Sequence, residues 1–147
     1  MQTPLQHCNK FSVGHFKLEE FDVYVMLNQS AYAPNQLIKY VAECHGNCSS
    51  LQGIQMKFKQ IYVFTADRPN THRLKQRKVL SQQYHRANID SKVYGTLAIP
   101  DNVMPSSIEH CIVLLEYYVQ IKLHLGTTYR NRKTHITIRI GNVDLRS

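Results

Sequence analysis

The chain has no long apolar run. No unbroken one is longer than Cys111 to Leu115, which falls far short of the roughly 20 residues that a membrane-spanning helix needs. Met1 to Cys8 has neither a basic start nor an apolar core, which predicts no signal peptide and an intracellular chain. No Gly-rich phosphate loop, nucleophile elbow or His-Glu-x-x-His occurs, and each absence removes a class of catalytic machinery. Carboxylates are scarce, 10 against 18 lysines and arginines. The neighbours Glu19 and Glu20 make a poor acid/base pair, because adjacent residues on a strand face apart. The four cysteines, Cys8, Cys44, Cys48 and Cys111, are too few for a disulfide framework, so free thiols are expected. Cys44-His45-Gly46-Asn47-Cys48 offers three zinc-type donors where a structural site needs four, and the other cysteines are far away in sequence. His15, His72, His85 and His135 fall beside loops or on outward strand positions and read as surface residues. The sequence therefore predicts no enzyme, no metal and no cofactor.

What is present is a soluble-type composition, 43% hydrophobic with 9 tyrosines among 147 residues. That length suits one domain, in which about 70% of the unfolded surface is buried. Residues 16–142 read as that domain, 1–15 as a linker or edge segment and 143–147 as a tail. The formal charge of +8 biases partners towards nucleic acid, anionic lipid or acidic and phosphorylated peptides.

Period-two alternation runs through the whole length, and no helical period appears. It is clearest in Cys111 to Leu125, where Cys111, Val113, Leu115, Tyr117, Val119, Ile121 and Leu123 share one face. Alternate side chains of a strand point to opposite sides of its sheet, so this stretch predicts a long central strand with one face in the core. Further strands are expected over Phe21 to Leu27, Leu37 to Cys44, Ile54 to Thr65, Lys92 to Ile99 and Lys133 to Ile140. In the third, the apolar phase shifts near Ile61 and Val63, which predicts a bulge or a half covered on both sides. Gly95 inside its strand predicts a bulge or a close backbone approach. Asn28 to Gln36 has turn chemistry, with Asn35 suited to the left-handed region. About seven strands at hairpin spacing predict an all-β, immunoglobulin-like antiparallel sandwich.

Arg68 to Arg86 holds no acidic residue and predicts a mobile hairpin or edge region. If extended, Arg73, Lys75 and Arg77 line one face, with Lys78 beside them. Arg130, Arg132 and Lys133 form a second basic loop. The plain reading of such charges is a solvated edge protected from pairing. The sharper one is a site for phosphoinositide headgroups or phosphorylated cargo. Aromatics are not interleaved as stacking platforms, which disfavours single-stranded nucleic acid.

Several motifs, in order, resemble the arrestin C-terminal domain. Ala31-Tyr-Ala-Pro-Asn-Gln-Leu-Ile38 is similar to that family's strand and aromatic-x-Pro-Gly-Glu turn, with Asn35-Gln36 in place of Gly-Glu. Pro105-Ser106-Ser107, Cys111 and Glu116-Tyr117 resemble its Pro-Ser, Cys and hydrophobic-x-Tyr run into a long strand, and Ile138-Arg-Ile-Gly141 resembles its closing Ile-Gly. The likeness spans about Phe16 to Asn142 and points to the α-arrestins, the arrestin-domain-containing and thioredoxin-interacting proteins. It implies a cytoplasmic adaptor, peripheral at the plasma membrane or endosomes, that serves membrane-protein trafficking, endocytosis or signalling. It also implies an N-terminal arrestin domain and membrane-protein cargo as partners. Ubiquitin-ligase recruitment through Pro-Pro-x-Tyr lies outside this chain, which has no Pro-Pro. Two other readings are a protein-interaction module, for instance a homodimer formed through exposed edge strands, and a relative of the retromer arrestin-like subunit.

Overall fold

Alternation becomes strand almost wherever the sequence shows it. The computed structural model describes residues 13–66, 72–86, 92–104, 113–126 and 130–141. Their strands are β1 (Val13–Lys17), β2 (Phe21–Leu27), β3 (Ala31–Tyr32), β4 (Leu37–Gly46), β5 (Leu51–Ala66), β6 (His72–Arg86), β7 (Lys92–Ala98), β8 (Val113–Leu125) and β9 (Arg132–Ile140). They form a four-stranded sheet, β1-β2-β4-β7, and a five-stranded sheet, β3-β9-β8-β5-β6. No helix occurs among the described residues.

The expected central strand is β8, third of five in its sheet. Leu115, Tyr117, Val119, Ile121 and Leu123 are buried in the core, as their spacing requires. Against them pack the inward residues of the other sheet, among them Val23, Val25, Ile38 and Leu97. The last strand likewise buries Ile136, Ile138 and Ile140.

Four local features correct or sharpen the sequence reading, each with a physical cause. The Asn28 to Gln36 turn contains β3, which pairs parallel with β9 through Ala31 and Tyr32, so the sandwich is not purely antiparallel. Tyr32 earns this place by burial and by donating its hydroxyl to Asn28 Oδ1 at 2.6 Å. Second, Val13 to His15, assigned to a linker or edge segment, belong to β1, which pairs with β2 at the sheet margin. Third, the phase shift in β5 is not a slip against β8, whose register runs unbroken from Gly53 to Phe64. Gln60 occupies a core-facing position there and donates to the buried Tyr117 hydroxyl at 3.2 Å. The register does shift between Phe58 and Lys59 on the other side, where β6 carries an extra residue. Fourth, Cys44 and Cys48 are joined as a disulfide with Cα atoms 6.5 Å apart, against the expectation of free thiols. The chain reverses at Gly46, whose φ is 107°, and Asn47 N–H donates to the Glu20 carbonyl at 3.0 Å. That reversal returns Cys48 to the side of Cys44.

Two expected backbone features are present. Asn35 takes a φ of 69°. Gly95, opposite Tyr40 in a regular register, marks a close approach rather than a bulge. A Cβ there would lie 2.4 Å from the Tyr40 hydroxyl and 2.7 Å from His85 Nε2. Those two atoms are themselves 2.6 Å apart and link the sheets. His85 is therefore not the surface histidine expected, and burial lowers its pKa. The Asp67 to Asn70 turn, the Pro105-Ser106-Ser107 lead-in, Cys8, Cys111 and the tail 143–147 lie outside the described residues.

Candidate anion-binding face

The five-stranded sheet turns one face to the core and the other outwards. On β5 the outward positions are Lys57, Lys59 and Ile61, paired respectively with Gln120, Tyr118 and Glu116 of β8. On the far side Lys59 pairs with Val79 and Ile61 with Arg77 of β6. Across β8, Tyr118 pairs with Thr137, Gln120 with His135 and Lys122 with Lys133 of β9. Period two thus directs side chains from four strands onto one surface. Glu116 is the one carboxylate in these four strands.

On this surface lies a groove of about 520 Å³ lined by Lys59, Lys75, Arg77, Lys133, His135, Tyr118 and Glu116, among others. Lys75, Arg77 and Lys133 are exposed, and Lys59 is partly buried between them. The ion pairs among the described residues are His15–Asp22, His45–Glu43 and Lys92–Glu43, all on the four-stranded sheet. Among the described residues, none of the groove's cations has a carboxylate partner. Burial first, and then the like charges of Lys57, Lys133 and Arg77, hold the Lys59 ammonium below its usual pKa. An anion seated there opposes this shift, since an opposite charge favours the protonated form. Tyr118, edge-on to His135 at 5.3 Å, forms part of the floor.

The structure separates the candidate residues. Lys75, Arg77 and Lys133 meet in the groove. Arg73 pairs with Thr65, in phase with Lys75 and Arg77, and its side chain lies outside those described. Lys78 pairs with Gln60, a core-side position, and so projects from the opposite face of β6. Arg132 pairs with the buried Leu123 and, with Arg130, is exposed at the sandwich end rather than in the groove. Lys59 and His135 were missed as members. Their signal was visible in the alternation of Lys57 and Lys59 with Met56 and Phe58, but which strands flank them is not a local property.

The outer face of the four-stranded sheet differs. A cross-strand row of Val13, Met26, Val41 and Tyr94 spans all four strands, with Val13 49% and Tyr94 72% exposed. Beside it run the two histidine–carboxylate pairs, with His15 stacked on Tyr24 at 4.3 Å. No group of three or more metal-type donors occurs among the described residues.

Two sheets packed face to face, one of them built around the long strand β8 and ending in a short parallel β3–β9 pair, define an arrestin-type β-sandwich. Residues 19–145 match the family described as "Arrestin (or S-antigen), C-terminal domain", and the chain belongs to that family. Among solved structures it is similar to Spo0M, a sporulation control protein from Bacillus subtilis, at 16% identity and a TM-score of 0.54. That likeness covers 84% of this chain and 50% of the other, so the chain spans about half its length, and at this identity it speaks to fold alone. No curated protein matches the chain. No helix among the described residues is long and apolar enough to cross a membrane.

Proposed function

We propose that the chain is the C-terminal domain of an α-arrestin-like adaptor without catalytic activity. It acts in membrane-protein trafficking or signalling, in the cytoplasm at the plasma membrane or endosomes. It works beside an N-terminal arrestin domain and holds anionic cargo tails or anionic membrane on its basic sheet. The observation that carries this reading is the convergence of Lys59, Lys75, Arg77 and Lys133 on one groove with no ion pair to neutralise them among the described residues. Uncompensated cations held at fixed strand spacing attract anions over about 10 Å at moderate salt. Phosphatidylserine vesicles and a multiply phosphorylated peptide are the probes. Binding to at least one is expected at low salt and should weaken as salt rises. Replacing the four residues by glutamine should reduce it by about tenfold or more, or ~1.4 kcal/mol. Absence of binding to both at low salt, or full binding by the four-fold variant, would remove the groove from the function.

A second reading, an interface with another sandwich, is favoured by the row Val13, Met26, Val41 and Tyr94. Burying such residues yields roughly 25 cal/mol per Å² of apolar surface. Light scattering of the wild-type protein and of Tyr94→Lys tests it. A dimer converted to monomer is expected on this reading, and a wild-type monomer at high concentration ends the homodimer version.

A further inference from the structure

We propose that the outer edge of β6, the last described strand of its sheet, takes up an extended, acidic segment of a partner protein by strand addition. This deepens the reading of the basic sheet as the binding surface and depends on it.

β6 is 15 residues long and terminates the five-stranded sheet. β5 pairs along one side of it from His72 to Arg86, and among the described residues no strand pairs along the other. Its two halves differ because of the extra residue opposite the Phe58/Lys59 junction. The half from Ser81 onward leans on the other sheet, with Ser81 Oγ donating to the Ala98 carbonyl at 2.8 Å and His85 meeting Tyr40. The half from His72 to Val79 keeps an uninterrupted register with β5, from Ala66 to Lys59. Its described side chains, Lys75 to Val79, are all exposed. That run is longer than a typical strand of about 5–6 residues, so it can template a whole added strand.

Charge selects the occupant. β6 carries Arg73, Lys75, Arg77, Lys78 and Arg86 and no carboxylate. A second copy added through the same edge would set these cations against one another, and like charges placed opposite across a strand pair are destabilising. A neutral strand gains the backbone hydrogen bonds but leaves the cations uncompensated. An acidic strand gains both, with cross-strand Cβ atoms about 4.5–5.5 Å apart. Edge lysines that discourage indiscriminate pairing thereby become selective for one class of strand. The spacing predicts the motif. Lys75 and Arg77 share the outward face with Arg73 in phase, whereas the intervening Gln76 is uncharged. Acidic residues at every second position of the partner, facing outwards, meet them. Lipid headgroups and free phosphates use the same cations but not the backbone edge, and this separates the cases.

The test is fluorescence anisotropy of the whole chain with a short labelled peptide alternating glutamate with valine or threonine. Two versions are N-methylated at alternate amides, one in each phase. Alternate residues of an antiparallel strand direct their N–H groups to the same neighbour, so only one phase blocks the edge. The parent and one methylated version are expected to bind, with the other weakened about tenfold or more. The double variant Lys75→Glu, Arg77→Glu, folded by its melting curve, should lose the parent peptide. Equal binding of both methylated peptides and the parent would overturn strand addition and leave an electrostatic surface. So would equal loss in both phases, since strand addition requires one of them to bind. Binding of phosphatidylserine vesicles without any peptide binding overturns this inference while sparing the basic sheet as a binding site. Failure of peptides, vesicles and the phosphorylated probe together removes both.

Discussion

Truncating Tyr117 to alanine is expected to destabilise the domain by about 3–5 kcal/mol. Its side chain, 0% exposed, stacks on Phe58 with ring centroids 5.7 Å apart. Its hydroxyl donates to the Met104 carbonyl and accepts from Gln60 Nε2, and burial raises its pKa. Alanine therefore removes a core ring and leaves the half-buried Gln60 amide without that partner, besides releasing the Pro100 to Met104 loop from β8. Against a typical domain stability of 5–15 kcal/mol, the loss is severe. In a chain of this size it should appear as a fall in Tm of roughly 6–20 °C. Tyr117→Phe keeps the ring and loses only the hydroxyl bonds, an expected cost of about 1–2 kcal/mol. Chemical denaturation of both variants checks the pair. A cost below about 1 kcal/mol for alanine would mean that β8 does not organise the core.

The second large effect concerns binding. Lys59→Glu with Arg77→Glu reverses two groove charges, and affinity for an anionic partner is expected to fall about 100-fold at low salt, or ~2.7 kcal/mol. The control is Lys39→Glu with Lys78→Glu, which changes net charge equally. Lys78 lies on the opposite face of β6 and Lys39 is exposed on the other sheet, so about a threefold effect or less is expected. Equal losses in the two variants would show that binding follows net charge and not the groove. The sign of the stability change is a further check. A lysine whose folded pKa lies below its unfolded value disfavours the folded state while protonated in both. That penalty disappears as pH rises through the folded value towards the unfolded one. Removing the Lys59 cation relieves it, so the double groove variant should not melt below the wild type at neutral pH.

Much of the fold was legible because strands announce themselves locally. Side chains alternate faces at every residue, so Val23, Ile38, Val119 and Ile138 reveal their inward positions without knowledge of any partner strand. Turn chemistry was equally local at Asn35. Less legible were the elements whose existence depends on a distant partner. β3 is two residues long and is a strand only because β9 lies beside it. The role of Gln60 could not be read from its neighbours, since a polar residue at an inward phase looks like a slip until Tyr117 is found above it. The Cys44–Cys48 pairing and the Tyr40–His85 link depend likewise on how the chain reverses and how the sheets meet.

The same division runs through the candidate site. By itself the sequence determined that the chain is all-β, that β8 is its central strand, and that Lys75 and Arg77 share a face. Each follows from the period-two geometry of a single extended segment. Only the tertiary structure decided that Lys59 and Lys133 join them while Lys78, Arg130 and Arg132 do not. It also decided that β6 ends its sheet, with no described strand along its outer edge. Strand order and register bring together residues that are tens of positions apart, and no local pattern encodes which strand pairs with which.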